Sequence, residues 1–288
     1  MAKKTKKIQT EIKQKKKEQT NIRKQISEEK TLEQQGFQTD MDVQMMMPFG
    51  PQMLKAKLPD RIVDMMLEIT DDITEDTEKI NWGHALAGQI RDEPLISNEL
   101  LKEKGLYNWF SNLAQYYITE HNKIKGVTLK MVDPIIETDI TSMWIVNQKE
   151  GEYNPVHHHT NATISCVFYL KIPKYTPRDL PYKVSADGSI EFVSHAGGEE
   201  YNTFNKGCYL TNPEVGDLYM FPSYLLHTVY PFLGEGERRS VSFNVMHRYV
   251  DKDKLYKMQL QQAKNREDTL KSELDELKEQ VAQLAKEK

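Results

Sequence analysis

Between Val132 and Met246 the chain is a succession of short apolar or alternating runs: Ile140–Asn147, Ile164–Ile172, Ser189–Val193, Asp217–Phe221, His227–Tyr230 and Arg239–Met246. Turn-forming residues separate them, namely Gly151, Pro173, Asp187-Gly188, Gly197-Gly198, Pro213, Gly216, Pro222 and Gly234. Runs of this length suit β-strands, and several of them between regular turn signals favour a barrel or a sandwich. Asp187-Gly188 just before Ser189 is a hairpin signal.

The polar residues inside these runs are not scattered. His157 and His159 lie two apart in Gly-Glu-Tyr-Asn-Pro-Val-His-His-His-Thr, so on extended backbone they point to one side while His158 points to the other. His227, in a later run, can close a triad from a neighbouring strand. Further on, Arg238, Ser240, Ser242 and Asn244 share one face of a strand, where a guanidinium and hydroxyls can hold a carboxylate. A metal site with an anion clamp beside it is the chemistry this pattern builds. The other face carries Arg239, Val241, Phe243 and Val245, which must pack on something apolar; Arg239 is expected to be a surface salt-bridge residue. Other readings of the same residues exist: solvated histidines on a loop, or a three-histidine zinc site for hydrolysis, which would leave Arg238 and Ser240 without a reason. His84, His121, His195 and His247 show no partner pattern and read as ordinary surface or structural residues.

Three separated blocks carry a family resemblance: Asn154 through Tyr169, then Gly216-Asp217…Phe221-Pro222-Ser223…His227, then Arg238…Ser242-Phe243-Asn244. Together they resemble the 2-oxoglutarate- and Fe(II)-dependent oxygenases, in a branch common in phage and bacterial genomes. Trp144 with Asn147, and Gly88-Gln89-Ile90…Glu93, add weaker agreement, and the likeness spans roughly residues 48 to 248. The resemblance implies a mainly β domain with flanking helices, folded as a double-stranded β-helix (a jelly-roll, cupin-like barrel) with iron at one mouth. It implies Fe(II), 2-oxoglutarate and O2 as cofactor and co-substrates, with His157, His159 and His227 as metal ligands. It places Arg238, Ser240, Tyr169 and Asn154 at the co-substrate, and hydroxylation as the default outcome. One slot departs from the superfamily pattern of two histidines and a carboxylate. His159 stands where the acid is usual, so the site is either all-histidine or borrows Asp187 or Glu191. The contrasting possibility is a catalytically inert metal- or ligand-binding barrel.

The flanking segments are of other kinds. Residues 1–35 carry eleven Lys and Arg against five Glu and read as a basic, weakly helical or disordered extension, able to touch nucleic acid weakly but more simply a solvated helix. Residues 36–50, with Met45-Met46-Met47 and Pro48, read as a linker, and residues 51–250 as the oxygenase domain with its N-terminal buttressing helices. One of those is expected from Pro59, with Ile62, Val63, Met66 and Leu67 on its apolar face. A second stretch, Leu95 to Tyr117, is divided by Gly105. The irregular segment Tyr175 to Gly207, between the ligand blocks, is where substrate specificity is expected.

Residues 251–288 read as a coiled-coil helix. The seam Tyr256, Leu260, Ala263, Glu267, Leu270, Leu274, Leu277, Val281 and Leu284 predicts a homo-oligomer through residues 255–285. Charged residues at 28%, a net charge of −4 and two cysteines bound the rest: a soluble protein of reducing surroundings, without global bias toward nucleic acid. No apolar run approaches the ~20 residues that cross a bilayer, so a cytoplasmic protein without membrane contact is expected. The primary substrate is open between a protein side chain, a small molecule and a nucleobase.

Overall fold

The computed structural model describes residues 41–46, 50–125, 135–179, 185–193 and 207–286. The basic extension, part of the linker and much of the segment Tyr175 to Gly207 lie outside them. The chain forms two compact units. One comprises residues 39–128 and 136–249, and the other includes the C-terminal helix.

The first unit is mainly β. Among the described residues ten strands follow in chain order: β1 (Val43–Met46), β2 (Met53–Lys57), β3 (Ile135–Gln148), β4 (Asn154–His157), β5 (Ile164–Lys171), β6 (Ile190–Val193), β7 (Cys208–Thr211), β8 (Asp217–Pro222), β9 (Leu226–Val229) and β10 (Arg238–Val250). They make a six-stranded sheet in the order β1-β2-β8-β5-β10-β3 and a four-stranded sheet in the order β4-β9-β6-β7. Pairing is antiparallel between β1 and β2, β2 and β8, β8 and β5, and β5 and β10, and throughout the smaller sheet. The core lies between the sheets. Val167, Tyr169, Tyr219 and Phe221 from the larger one pack with Ile190, Phe192 and Val229 from the smaller.

The expected strands appear at the expected places, and β10 runs longer than its apolar stretch. Residues 43–46, read as linker, are instead strand β1, paired with β2 through Val43↔Ala56 and Met46↔Met53. Strands β1 and β7 each stand at a sheet edge and bury only part of their surface.

The outer face of the large sheet is covered by helices whose boundaries have local causes. Helix α1 (Asp60–Glu75) starts after Pro59 and buries Ile62, Val63, Met66, Ile69 and Thr70, one stripe of a 3.6-residue period. Helix α2 (Asn98–Glu103) is capped by Ser97, whose hydroxyl accepts from the Leu100 N–H at 3.2 Å. Gly105 then takes a positive φ of 72°, and helix α3 (Leu106–Lys125) begins at once. Phe110 of α3 stacks on Phe168 of β5 at 5.4 Å and meets Phe243 of β10 at 5.1 Å. This is the apolar partner that the outward residues of β10 require.

Arg239 corrects the sequence expectation. It is only 3% exposed. Its guanidinium pairs with Asp71 of α1 at 2.6 Å and with Glu237 at 2.7 Å, and donates to Thr70 and Asn147. Alternation placed it on the buried outer face, and a charge there persists only because it is fully paired.

The second unit contains helix α4 (Lys252–Lys286), about 50 Å long at 1.5 Å per residue. Asp251 caps it, its carboxylate accepting from the Lys254 N–H at 3.0 Å. Leu270 and Leu274 of the predicted seam are buried, while Tyr256 is exposed. Among the described residues no helix is long and apolar enough to cross a membrane.

Replacing Phe110 with Ala should remove the contact between α3 and both central strands and lower stability by about 3–5 kcal/mol. Urea unfolding followed by circular dichroism measures this, and a loss below about 1 kcal/mol would mean that the helix is not anchored there.

Candidate metal centre and anion pocket

Strand pairing brings the first two imidazoles together. His157 is the last residue of β4 and stands directly opposite His227 of β9 in the antiparallel register, with ring centroids 4.2 Å apart. The chain leaves the strand after His157, and the backbone N–H of His159 donates to the Ser223 carbonyl at 3.0 Å, which turns its ring back beside them. His159 lies 5.4 Å from His157 and 5.1 Å from His227. One ligand nitrogen from each of the three lies within 4.8 Å of the others. His158 is exposed, as the alternation requires.

Hydrogen bonds settle which nitrogens face the centre. The Nδ1–H of His157 donates to the Pro155 carbonyl at 2.7 Å, that of His227 to the Leu225 carbonyl at 2.9 Å, and that of His159 to the Asn244 side-chain oxygen at 2.6 Å. All three donors point at oxygen acceptors, so all three Nε2 lone pairs remain for an ion. Asn244 is itself held, accepting from the Ser165 hydroxyl and donating to Ser142. Burial keeps the rings neutral. It is the main cause of the lowered pKa of His157, brings His159 down to about 4, and depresses His227 further below the usual range.

Neither carboxylate considered as a substitute ligand joins the group. Asp187 takes both oxygens to the Arg178 Nε, at 2.7 and 2.9 Å, and Glu191 accepts from the Tyr230 hydroxyl. Among the described residues the metal-binding cluster is all-histidine. His84, His121 and His247 are not part of it, and His195 lies outside the described residues.

The triad opens on a cavity of about 420 Å³, and Arg238 reaches its wall. Arg238 is 1% exposed. Its Nε donates to the Gly188 carbonyl at 3.0 Å, its Nη1 to the Gln148 side-chain oxygen at 3.1 Å, and its guanidinium carbon lies 4.8 Å over the Tyr169 ring. Among the described residues its Nη2 has no hydrogen-bond partner, and neither does the buried hydroxyl of Tyr169, on which the guanidinium acts electrostatically. No carboxylate pairs with this guanidinium among the described residues. A buried cation without a counter-ion, beside an orphaned hydroxyl, is the donor set of an anion site.

Ser240, Ser242 and Asn244 line the same cavity, as the alternation predicts, and Ser240 stands opposite Tyr169 in the β10–β5 register. Asn154 is on the wall as well, its side-chain oxygen so close to Gly88 that a Cβ there would collide with it. Two further residues, Glu93 on the wall and Gln148 bonded to Arg238, had no role assigned from sequence. Gln148 orients Arg238 and is itself fixed by donating to the Glu152 and Tyr230 carbonyls. Glu93 is 1% exposed, and among the described residues one of its carboxylate oxygens has no hydrogen-bond partner. A polar residue ending an apolar strand was the available signal for Gln148. For Glu93 the only hint was its place in the segment after Gly88.

Residues 142–244 match the family described as "Putative 2OG-Fe(II) oxygenase". This stretch is similar to the 2-oxoglutarate- and Fe(II)-dependent oxygenases. All three histidines, Arg238, Tyr169, Ser240 and Asn154 fall inside the matched segment. A search of curated proteins finds no match. Solved structures similar to this chain include a prolyl-4-hydroxylase from Pseudomonas putida, at 16% identity and a TM-score of 0.40, over 68% of this chain and 92% of that one. A 2OG-Fe(II) oxygenase family oxidoreductase from Burkholderia pseudomallei aligns at 13% identity and 0.40, over 68% and 86%. HygX from Streptomyces hygroscopicus, with nickel and 2-oxoglutarate bound, aligns at 11% and 0.41, over 67% and 82%. These likenesses are distant, and the assignment rests on the family match. The residues of the site fit Fe(II) and 2-oxoglutarate, the groups that this similarity implies: three neutral imidazoles with free Nε2 lone pairs, and a guanidinium and a phenol that lack hydrogen-bond partners among the described residues.

Burial, with Glu152 and Asp92 nearby, pushes the Glu93 carboxyl up to about 7. Its folded value lies above the ordinary 4.5, so the folded state binds the extra proton. The resulting stability is complete below about pH 4.5 and is lost as pH rises through 7. Glu93→Gln should therefore raise the stability of the metal-free domain at pH 8 by about 1–3 kcal/mol relative to the effect at pH 4.5. Thermal melts of both proteins at the two pH values check this, and an equal shift at both would refute it.

Proposed function

We propose that this protein is a 2-oxoglutarate- and Fe(II)-dependent hydroxylase, coupling oxidative decarboxylation of 2-oxoglutarate to succinate with insertion of oxygen into a C–H bond of a second substrate. The observation that carries the reading is the pairing of an all-imidazole cluster with a buried, unneutralised Arg238 on the wall of one cavity. A zinc hydrolase or an inert barrel gives no use to that guanidinium or to the orphaned Tyr169 hydroxyl.

In this reading His157, His159 and His227 hold Fe(II) through Nε2, and their Nδ1–H bonds fix each ring before the ion arrives. The bound iron supplies the oxygen-activating chemistry that no side chain here provides. Arg238 Nη2 and the Tyr169 hydroxyl take the far carboxylate of the co-substrate, with Ser240 beside them, while Gln148 and the Gly188 carbonyl hold the guanidinium in place. The apolar wall of Val167, Ile190, Phe221 and Val229 keeps water from the reacting centre. Three neutral ligands leave the full charge of the ion uncompensated by the protein, which strengthens its hold on a dianion.

Two architectural readings belong with this proposal. The facing sheets are a double-stranded β-helix of the jelly-roll kind, supported by the antiparallel pairing and by the shared core between them. Residues 255–285 of α4 are read as a self-associating coiled-coil seam, on the alternating four- and three-residue spacing of Tyr256, Leu260, Ala263, Leu270, Leu274, Leu277 and Val281.

Anaerobic titration with Fe(II) and then 2-oxoglutarate should produce a visible metal-to-ligand charge-transfer band. His227→Ala should abolish it. Arg238→Ala should weaken 2-oxoglutarate binding by about thirtyfold or more, the scale expected when one partner of a buried charge pair is removed. A wild-type protein that binds iron yet shows no band would overturn the proposal.

A further inference from the structure

The cavity has a second polar feature that the iron and the co-substrate leave unused. Glu93 lies on the segment that runs along the edge of β3, fixed by backbone bonds from Trp82 N–H to the Glu93 carbonyl (2.8 Å), from Ile145 N–H to Pro94 (2.8 Å) and from Asn147 N–H to Asp92 (3.0 Å). The segment is held on both sides, and the Glu93 side chain is 1% exposed. It is packed against two glycines. A Cβ at Gly83 would come within 3.3 Å of its Oε2, and one at Gly88 within 3.1 and 3.4 Å of its two oxygens. Oε2 is buried without a partner in a wall shared with the histidine triad.

We propose that Glu93 recognises the substrate to be oxidised, and that the group it takes is a cationic nitrogen, an alkylammonium or a guanidinium. This deepens the hydroxylase reading and rests on it. Three observations select a cation over a neutral donor. Basic side chains of the flanking segments are engaged elsewhere, Lys79 with Asp92 at 3.0 Å and Arg91 with Glu152 at 3.7 Å, and no cation pairs with Glu93 among the described residues. The neighbouring carboxylates Asp92 and Glu152 add negative potential at the same place, and the Asn154 side-chain oxygen stands across Gly88 as a further acceptor. Trp82 and Trp144 line the cavity, and their faces attract cations.

The aromatic wall also links this corner to the chemistry. Trp144 packs with Val146 and Ile90 in one apolar cluster, against which Trp82 and Leu86 lie, and its ring is 5.7 Å from His159. A substrate whose charged end sits at Glu93 lays its alkyl portion along this wall toward the triad. The class of substrate is therefore an amine or guanidine with a hydrocarbon stem, whether free or as the side chain of a peptide. The carboxyl anchors and positions it, and takes no part in the redox step.

The test titrates full-length protein, loaded anaerobically with Fe(II) and 2-oxoglutarate at pH 8, with n-butylammonium and with the neutral 1-butanol, following tryptophan fluorescence. The expected result is butylammonium affinity at least tenfold above that of butanol in wild type, with that preference lost in Glu93→Gln. Equal affinity for the two probes in wild type overturns the assignment, and so does a preference that survives in Glu93→Gln. Should that variant fail to fold, the wild-type comparison decides, with Glu93→Asp, which keeps the charge but withdraws it, expected to weaken butylammonium alone. The charge-transfer band of the same samples reports the iron site separately. A normal band without cation preference removes the Glu93 assignment only. A missing band overturns the hydroxylase reading, while the fluorescence ratio still decides whether Glu93 binds cations.

Discussion

From Arg238 to Val245 strand β10 is enclosed on both faces, so the side on which each of these residues falls governs both the site and the scaffold. Toward the cavity it presents Arg238, Ser240, Ser242 and Asn244. Away from it, Val241 and Phe243 are fully buried, and Phe243 meets Phe110 of α3. A slip of one residue would place a phenylalanine among the imidazoles and an asparagine in the aromatic packing. The antiparallel pairing with β5, including the irregularity between Arg239 and Ser240, holds this register. Asn244 then sits where its side chain orients His159, and Arg238 where its guanidinium covers Tyr169.

The adjacent arginines Arg238 and Arg239 show how function separates from structure at one point of the chain. Both are almost fully buried. Arg239 is neutralised by Asp71 and Glu237 and ties α1 to the sheet. Arg238 receives only neutral acceptors and keeps one nitrogen unpaired. A buried charge left short of partners costs stability, and the natural reason to retain it is a ligand that completes it. The Glu93 carboxyl makes the same argument with the opposite sign on another part of the same wall.

These polar groups converge although their strands and loops are far apart in the chain. Glu93 comes from a loop before α2, Gln148 from the end of β3, the histidines from β4, the turn after it and β9, and Arg238 from the start of β10. Between them lie Val167, Ile190, Phe221 and Val229, which make the site a place of low dielectric constant. There a neutral imidazole, a bare guanidinium and an unpaired carboxyl each act more strongly than they would in water.

Much of this was legible in the residues themselves. Period-two alternation located the interior strands and the inward face of β10, and two histidines one residue apart located the metal corner. Gly105 marked the helix break, because a positive φ is a local property. The edge strands β1 and β7 were not legible, since they are defined by what they pair with more than by their own composition. The burial of Arg239 and the isolation of Glu93 were also hidden, because neither follows from local pattern. A charge is paired or orphaned according to which distant side chains arrive beside it. Sequence determined the periodicities, the ligand types and their order along the chain. Tertiary structure alone decided which buried charges were answered, because partners more than a hundred residues apart in sequence, such as Asp71 and Arg239, meet only once the sheets and helices have packed.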